Sequence, residues 1–86
     1  MDRLIGQLLT TLNRLDLEKN TLVVLTSDHG EGFLEHGVIG HGNTLYDEEI
    51  KVPLIFYAPG RLPENLKVDS QVRLIDISPT ILDLLD

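Results

Sequence analysis

The sequence predicts an α/β fold, a layered sheet with flanking helices, and three features carry that prediction. Leu22 to Leu25 form an unbroken apolar run, the pattern of a strand covered on both faces as in a parallel sheet. Ahead of it, apolar residues recur at helical spacing. Beyond it, a second apolar run from Leu54 to Ala58 is bracketed by Pro53 and by Pro59 with Gly60.

The elements follow in order. Over residues 2–15, Leu4, Ile5, Leu8, Leu9, Leu12 and Leu15 build one apolar stripe, which predicts an amphipathic helix. The polar stretch Asp16 to Asn20 connects it to a strand over 21–26. A long loop, 27–43, holds Gly30, Gly32, Gly37, Gly40 and Gly42 and all 3 histidines of the chain. A polar loop of that length rich in histidine points to function rather than mere connection. Thr44 is expected to cap a short helix, 44–50, with Asp47 completing an approximate capping box. The second strand covers 53–58, a surface loop follows, and 68–74 is expected to be an extended edge segment. Ser78 as N-cap and Pro79 at the first helical position open a last helix, 78–85, with Ile81, Leu82 and Leu85 at helical spacing. Helices and strands in this order fit a piece of a layered α/β sheet, because two firm strands cannot cover two amphipathic helices.

Eighty-six residues make at most one small domain, which buries only about 60–65% of the surface its unfolded chain exposes. A hydrophobic fraction of 42% is that of a globular protein, and no apolar run approaches the ~18 residues of a membrane span. The net charge of −7 argues against nucleic acid or an anionic membrane as partner. If the substrate is an anion, a metal ion or basic groups must reverse that sign locally. With no cysteine there is neither a disulfide framework nor a thiol nucleophile. Met1 leads into an amphipathic pattern rather than an unbroken apolar core, so no secretory leader is read there.

The chemistry is expected where the first strand ends. Asp28 offers a hard oxygen and His29 an imidazole nitrogen, a pairing suited to a divalent metal, and Gly30 lets the backbone turn sharply. The same residues also suit a plain turn, with Asp28 as a cap and His29 hydrogen-bonded to it. The dipeptide alone does not separate these readings.

Three stretches, TLVVLTSDHGE, GHGNTLYDEEIKVPLIFYAPG and LIDISPTILDLL, resemble successive parts of the sulfatases of the alkaline phosphatase superfamily. The amino-terminal DRLIGQLL and its leucine-rich continuation are similar to the helix that precedes the first strand in such enzymes. The resemblance covers nearly all of the chain and implies a single partial sulfatase-like domain over 1–86, part of an alkaline-phosphatase-like layered sheet. It implies that Asp28 and His29 coordinate the active-site metal, calcium in most sulfatases. Manganese and zinc, which nitrogen ligation suits better, are the alternatives. Thirteen residues beyond Asp28, His41 takes the place of a Lys or His that contacts the sulfate or its leaving oxygen. A protonated imidazole there can bind the anion or donate a proton to the departing alkoxide.

His36 is read either as lining the substrate pocket or as a surface histidine. Glu31 is taken as structural or as a partner that orients His29. Tyr46 is expected to pack, the acidic run Asp47 to Glu49 and Lys51 to face solvent, and Asp76 to cap.

Sulfatases carry a formylglycine nucleophile within CxPxR, near the amino terminus, with further aspartate ligands. Neither is present here. Asp28, His29 and His41 alone cannot run a hydrolysis that needs an activated nucleophile and a completed metal shell. The chain is therefore expected to be a carboxyl-side fragment, inactive alone, whose longer parent takes a sulfate ester of a small molecule or glycan. Two alternatives stand beside this reading. One is a phosphoryl-transfer relative of the same superfamily, which His29 favours. The other is a noncatalytic module that forms a homo-oligomer through its apolar helix faces.

Overall fold

Thirteen residues at the start of the chain form helix α1, Asp2–Arg14, in a computed structural model that describes residues 1–86. Asp2 in the first turn and Arg14 in the last complement the helix dipole. A Schellman motif closes the helix: Asp16 adopts φ 55°, its N–H donates to the Asn13 carbonyl, and the Leu17 N–H donates to the Leu12 carbonyl. A 3-10 turn, Glu18–Asn20, then leads into strand β1, Val23–Thr26. The Glu18 carboxylate receives the Tyr57 hydroxyl and the Asn13 amide, which ties the end of α1 to the second apolar strand.

The loop after β1 contains structure of its own, a hairpin of β2, Gly32–Phe33, and β3, Ile39–Gly40. Helix α2, Asp47–Ile50, and strand β4, Leu54–Tyr57, follow. The closing segment is a 3-10 turn, Leu74–Asp76, running directly into helix α3, Ile77–Leu85. The chain is thus a small α/β unit with helices and short antiparallel strands.

β1 pairs with β4 antiparallel, from Val23 opposite Tyr57 to Thr26 opposite Leu54, and not within a parallel sheet. A parallel neighbour needs a crossover that carries the chain back to the start of the first strand. Here the chain stays at the exit of β1, because the Gly30 N–H donates to the Glu49 carbonyl at 2.8 Å. It therefore enters β4 beside Thr26, where β1 ends. The apolar run of β1 is half-buried rather than covered on both faces.

Three boundaries also differ from expectation. Residues 68–74 form no strand, since no third strand lies beside them. Ser78 is not the cap of α3; the preceding 3-10 turn sets helical geometry before it. The closure there comes from Arg73 and Asp76, whose carboxylate accepts the Arg73 N–H at 2.9 Å and its guanidinium at 3.1 Å. Pro79 sits third in α3, where its missing N–H is among the donors a helix start leaves unpaired in any case.

Only Gly32, Glu49 and Ala58 are buried. The radius of gyration, 15.7 Å, exceeds the roughly 12 Å of a compact domain of this length. Leu4 and Leu8 on the stripe of α1 remain 63% and 55% exposed, so the stripe is formed but not covered. β4, the 62–72 segment and α3 surround an open apolar groove of about 540 Å³ that includes Phe56, Leu66 and Leu84. The molecule thus presents exposed apolar faces beside a polar loop cluster. No helix is long and apolar enough to cross a membrane.

Candidate metal and anion site

The residues that β1 delivers at its carboxyl end are Asp28 and His29. The Asp28 carboxylate is exposed and accepts the His29 N–H at 3.0 Å through Oδ1, while Oδ2 lies 3.7 Å from His29 Nε2. His29 Nδ1 lies 2.7 Å from the Gly30 carbonyl, so in the neutral ring Nδ1 carries the proton and Nε2 the lone pair. That hydrogen bond, reinforced by Asp28 and Glu31 and opposed by desolvation, holds the imidazole pKa above its usual value.

The β2–β3 hairpin returns the chain so that His41 meets His29. The two rings stack with centroids 3.9 Å apart. Glu31 sits between the loops, but its carboxylate accepts from His41 Nδ1 at 2.9 Å and does not orient His29 as expected. This bond fixes the His41 ring and leaves Nε2 without a protein partner. Ligand atoms of His29, Glu31 and His41 all lie within 4.8 Å of one another. Asp28 stands beside this trio through its approach to His29.

His36 lies apart from these three. Its Nδ1 is 2.5 Å from the Glu48 carboxylate, and its ring stacks on Tyr46 at 3.8 Å. The packing role expected of Tyr46 is thus met on an imidazole face.

The acidic run after Tyr46 departs most from expectation. Asp47 is exposed and pairs with the Lys51 ammonium at 2.5 Å. Glu48 turns inward to His36, and Glu49 is only 5% exposed. The Glu49 carboxylate accepts the Gly42 N–H at 2.9 Å, the Thr44 N–H at 3.3 Å and the Thr44 hydroxyl. Thr44 therefore does not cap α2, and it is Glu49, third in that helix, that reaches back along the chain. A glutamate at the third position of a short helix is the usual reach-back residue of a capping box, and that is the signal in the sequence that marks it.

Both inward carboxylates lie below the usual glutamate value of 4.5, Glu49 first because the Thr44 hydroxyl donates to it, Glu48 first because His36 does. A lowered folded value stabilises the folded loop above the unfolded pKa, and that contribution disappears as pH falls through the folded value. Protection of the Gly42 and Thr44 amides, taken against the intrinsic exchange rate at each pH, is therefore expected to persist at and somewhat below pH 4.5 and to fall on further acidification. Protection already absent at pH 6 would mean that the carboxylate does not hold these amides.

Gly30 contributes in a way the sequence reading missed. It is not among the glycines with positive φ, so a sharp turn is not its role. A Cβ built on it would fall 2.0 Å from the Glu48 carbonyl oxygen, which makes it the point of closest approach between the loop after β1 and the backbone of α2.

The sulfatase family model matches residues 1–86. Arylsulfatase K of Mus musculus is 41% identical over 83 residues, a stretch that covers 96% of this chain and 15% of that protein. The endo-4-O-sulfatase of Bacteroides thetaiotaomicron is 36% identical over 84 residues, covering 98% of this chain and 16% of its own length. A sulfatase of Formosa agariphila is 37% identical over 84 residues, with the same coverage. The chain thus spans about 15% of the length of the curated relatives it matches. No solved structure matches it significantly. The family match runs through the whole chain, from α1 to α3 and across the loops that bear Asp28, His29 and His41, and the chain belongs to the sulfatase family.

Proposed function

We propose that these residues form the carboxyl-side part of the active site of a metal-dependent sulfuric ester hydrolase, with Asp28 and His29 as metal ligands and His41 as the group that meets the sulfate. The observation that carries this reading is the meeting of Asp28, His29, Glu31 and His41 at the exit of β1 in a chain of the sulfatase family. A carboxylate oxygen and an unprotonated ring nitrogen 3.7 Å apart fit two neighbouring positions around one divalent cation. Calcium is the cation the family resemblance implies, and the imidazole donor extends the set to manganese and zinc. Held by Asp28 and His29, a cation would supply Lewis-acid polarisation of the ester and offset the negative charge of the protein around it. His41, held through Nδ1 by Glu31, directs Nε2 at the anion. In its protonated form it donates that proton to the ester oxygen as the sulfur–oxygen bond breaks, so that the alcohol leaves neutral.

The nucleophile and the remaining ligands lie outside these 86 residues, and the chain alone is proposed to be inactive. The apolar faces around the three buried residues suit cover by the rest of a sulfatase domain. In isolation the chain is expected to bind calcium, manganese or zinc no tighter than about 10⁻⁴–10⁻³ M by calorimetry, because two or three ligands leave most of the shell to water. It is also expected to self-associate in light scattering and to hydrolyse no sulfate ester. Micromolar binding or measurable turnover by the isolated chain would contradict this reading.

The direct test replaces the matching stretch of mouse arylsulfatase K with residues 1–86 and assays sulfate and phosphate esters side by side. Sulfate ester turnover is the expected result. Turnover of the phosphate ester alone would favour the phosphoryl-transfer reading that His29 supports, and a folded but inert hybrid would favour a noncatalytic module.

A further inference from the structure

We infer that Glu49 is a positioning residue that sets the juxtaposition of His29 and His41 by clamping both of the loops that carry them. It is the single residue bonded to both. Its carboxylate holds Gly42 and Thr44, directly after His41, while its main-chain carbonyl accepts the Gly30 N–H, directly after His29. Between these two attachments the imidazoles stack at 3.9 Å, a contact between residues twelve positions apart that are joined only through the short β2–β3 ribbon.

Burial makes the clamp stiff. Glu49 is 5% exposed, and no buried side-chain polar atom of the molecule lacks a partner. A carboxylate enclosed with three donors is held in one rotamer, because releasing a donor leaves the buried Glu49 short of a partner. The hairpin that brings His41 back has only two paired residues on each strand, Gly32 with Gly40 and Phe33 with Ile39, and Phe33 and Ile39 are 73% and 72% exposed. So short a ribbon does not fix its own end. The Glu31–His41 bond orients the His41 ring but also originates in a loop. Glu49, on a helix docked against Gly30, supplies the fixed reference.

This inference concerns the site proposed above, yet it is tested without metal or turnover, so its failure leaves the hydrolase reading standing and the reverse also holds. The probe is the mouse arylsulfatase K hybrid that carries residues 1–86, labelled at histidine and examined by NMR for through-space transfer between the ring protons of His29 and His41. The unsubstituted hybrid is expected to show it. Glu49→Met, which keeps length and apolar packing but offers no carboxylate, is expected to lose it, together with slow exchange at Gly42 and Thr44. Glu49→Gln is expected to retain both, because an amide can present its oxygen to the two N–H groups and its NH₂ to the Thr44 hydroxyl. Thr44→Val is expected to weaken the transfer and Thr44→Ser to restore it. Should Glu49→Met also disrupt the Val24–Phe56 strand pairing, the Thr44 pair decides the matter. Ring-to-ring transfer that is absent from the unsubstituted hybrid, survives in Glu49→Met, is lost equally in Glu49→Gln, or does not respond to Thr44→Val overturns the inference.

Discussion

Asp28→Ala, introduced into a sulfatase hybrid that carries residues 1–86, is expected to reduce turnover by at least ~100-fold, since loss of a partner that merely supports a metal ligand already costs about 10–100-fold. The substitution removes a charged oxygen from the exit of β1 and leaves nothing to replace it. The carboxylate is exposed, and its only hydrogen bond within the protein is to the N–H of the adjacent His29, so folding has little dependence on it. A loss of activity with an unchanged melting temperature is thus the diagnostic pattern. Asp28→Asn keeps the oxygen without the charge and is expected to fall between Ala and the unsubstituted hybrid. If Asp28 and His29 share one cation as proposed, His29→Ala is expected to match Asp28→Ala and the double substitution to add little, because two ligands of one ion fail as a unit. Turnover within about tenfold of the unsubstituted hybrid would remove Asp28 from the metal shell, since even supporting partners cost that much.

How far the sequence discloses this arrangement depends on which interactions are local. The stripe from Leu4 to Leu12 specifies α1, and the two apolar runs specify β1 and β4, since helical and strand periodicity are properties of the segment itself. Asp28 and His29 at a strand exit are legible for the same reason. Strand direction is not, because a four-residue apolar run reads alike in parallel and antiparallel pairs; direction is decided by where Gly30 meets Glu49. The β2–β3 hairpin has no burial pattern that could announce it, with Phe33 and Ile39 both in solvent.

The acidic run shows the same limit from the side of charge. Asp47, Glu48 and Glu49 look alike as a solvated face, yet they differ completely in the folded chain. Asp47 pairs with Lys51 four residues on, an interaction local enough to be read from spacing. Glu48 finds His36 twelve residues back, and Glu49 is enclosed by a loop that exists only once the hairpin has closed. A buried carboxylate is rare, and the donors that make it tolerable are assembled by tertiary structure.

Gly30→Ala is expected to produce the largest steric effect of any glycine-to-alanine change in the chain. The added carbon would sit 2.0 Å from the Glu48 carbonyl oxygen, 2.9 Å from its carbon and 3.2 Å from the Glu49 carbon, all of them backbone atoms of α2. No side chain can swing aside. Because Gly30 does not have a left-handed φ, alanine is not strained there by its own conformation, and its smaller unfolded-state entropy would even favour folding by about 0.4–1 kcal/mol. The clash outweighs that gain, since overpacking against fixed groups costs about 1–3 kcal/mol or more. Relief requires the loop and α2 to separate by about an ångström or more, which stretches the 2.8 Å bond from the Gly30 N–H to the Glu49 carbonyl and carries His29 away from His41. A displacement of that size at a reacting centre can cost ~10²-fold in rate. A fall in melting temperature is therefore expected together with a fall in turnover, and fast exchange at the residue 30 amide should accompany both. Gly6→Ala, which would meet no atom within 4 Å at a residue without a left-handed φ, serves as the control for steric effects. If Gly30→Ala left melting temperature, amide protection and activity unchanged, α2 would not be docked on the exit of β1, and the arrangement that joins His29 to His41 would have to be abandoned.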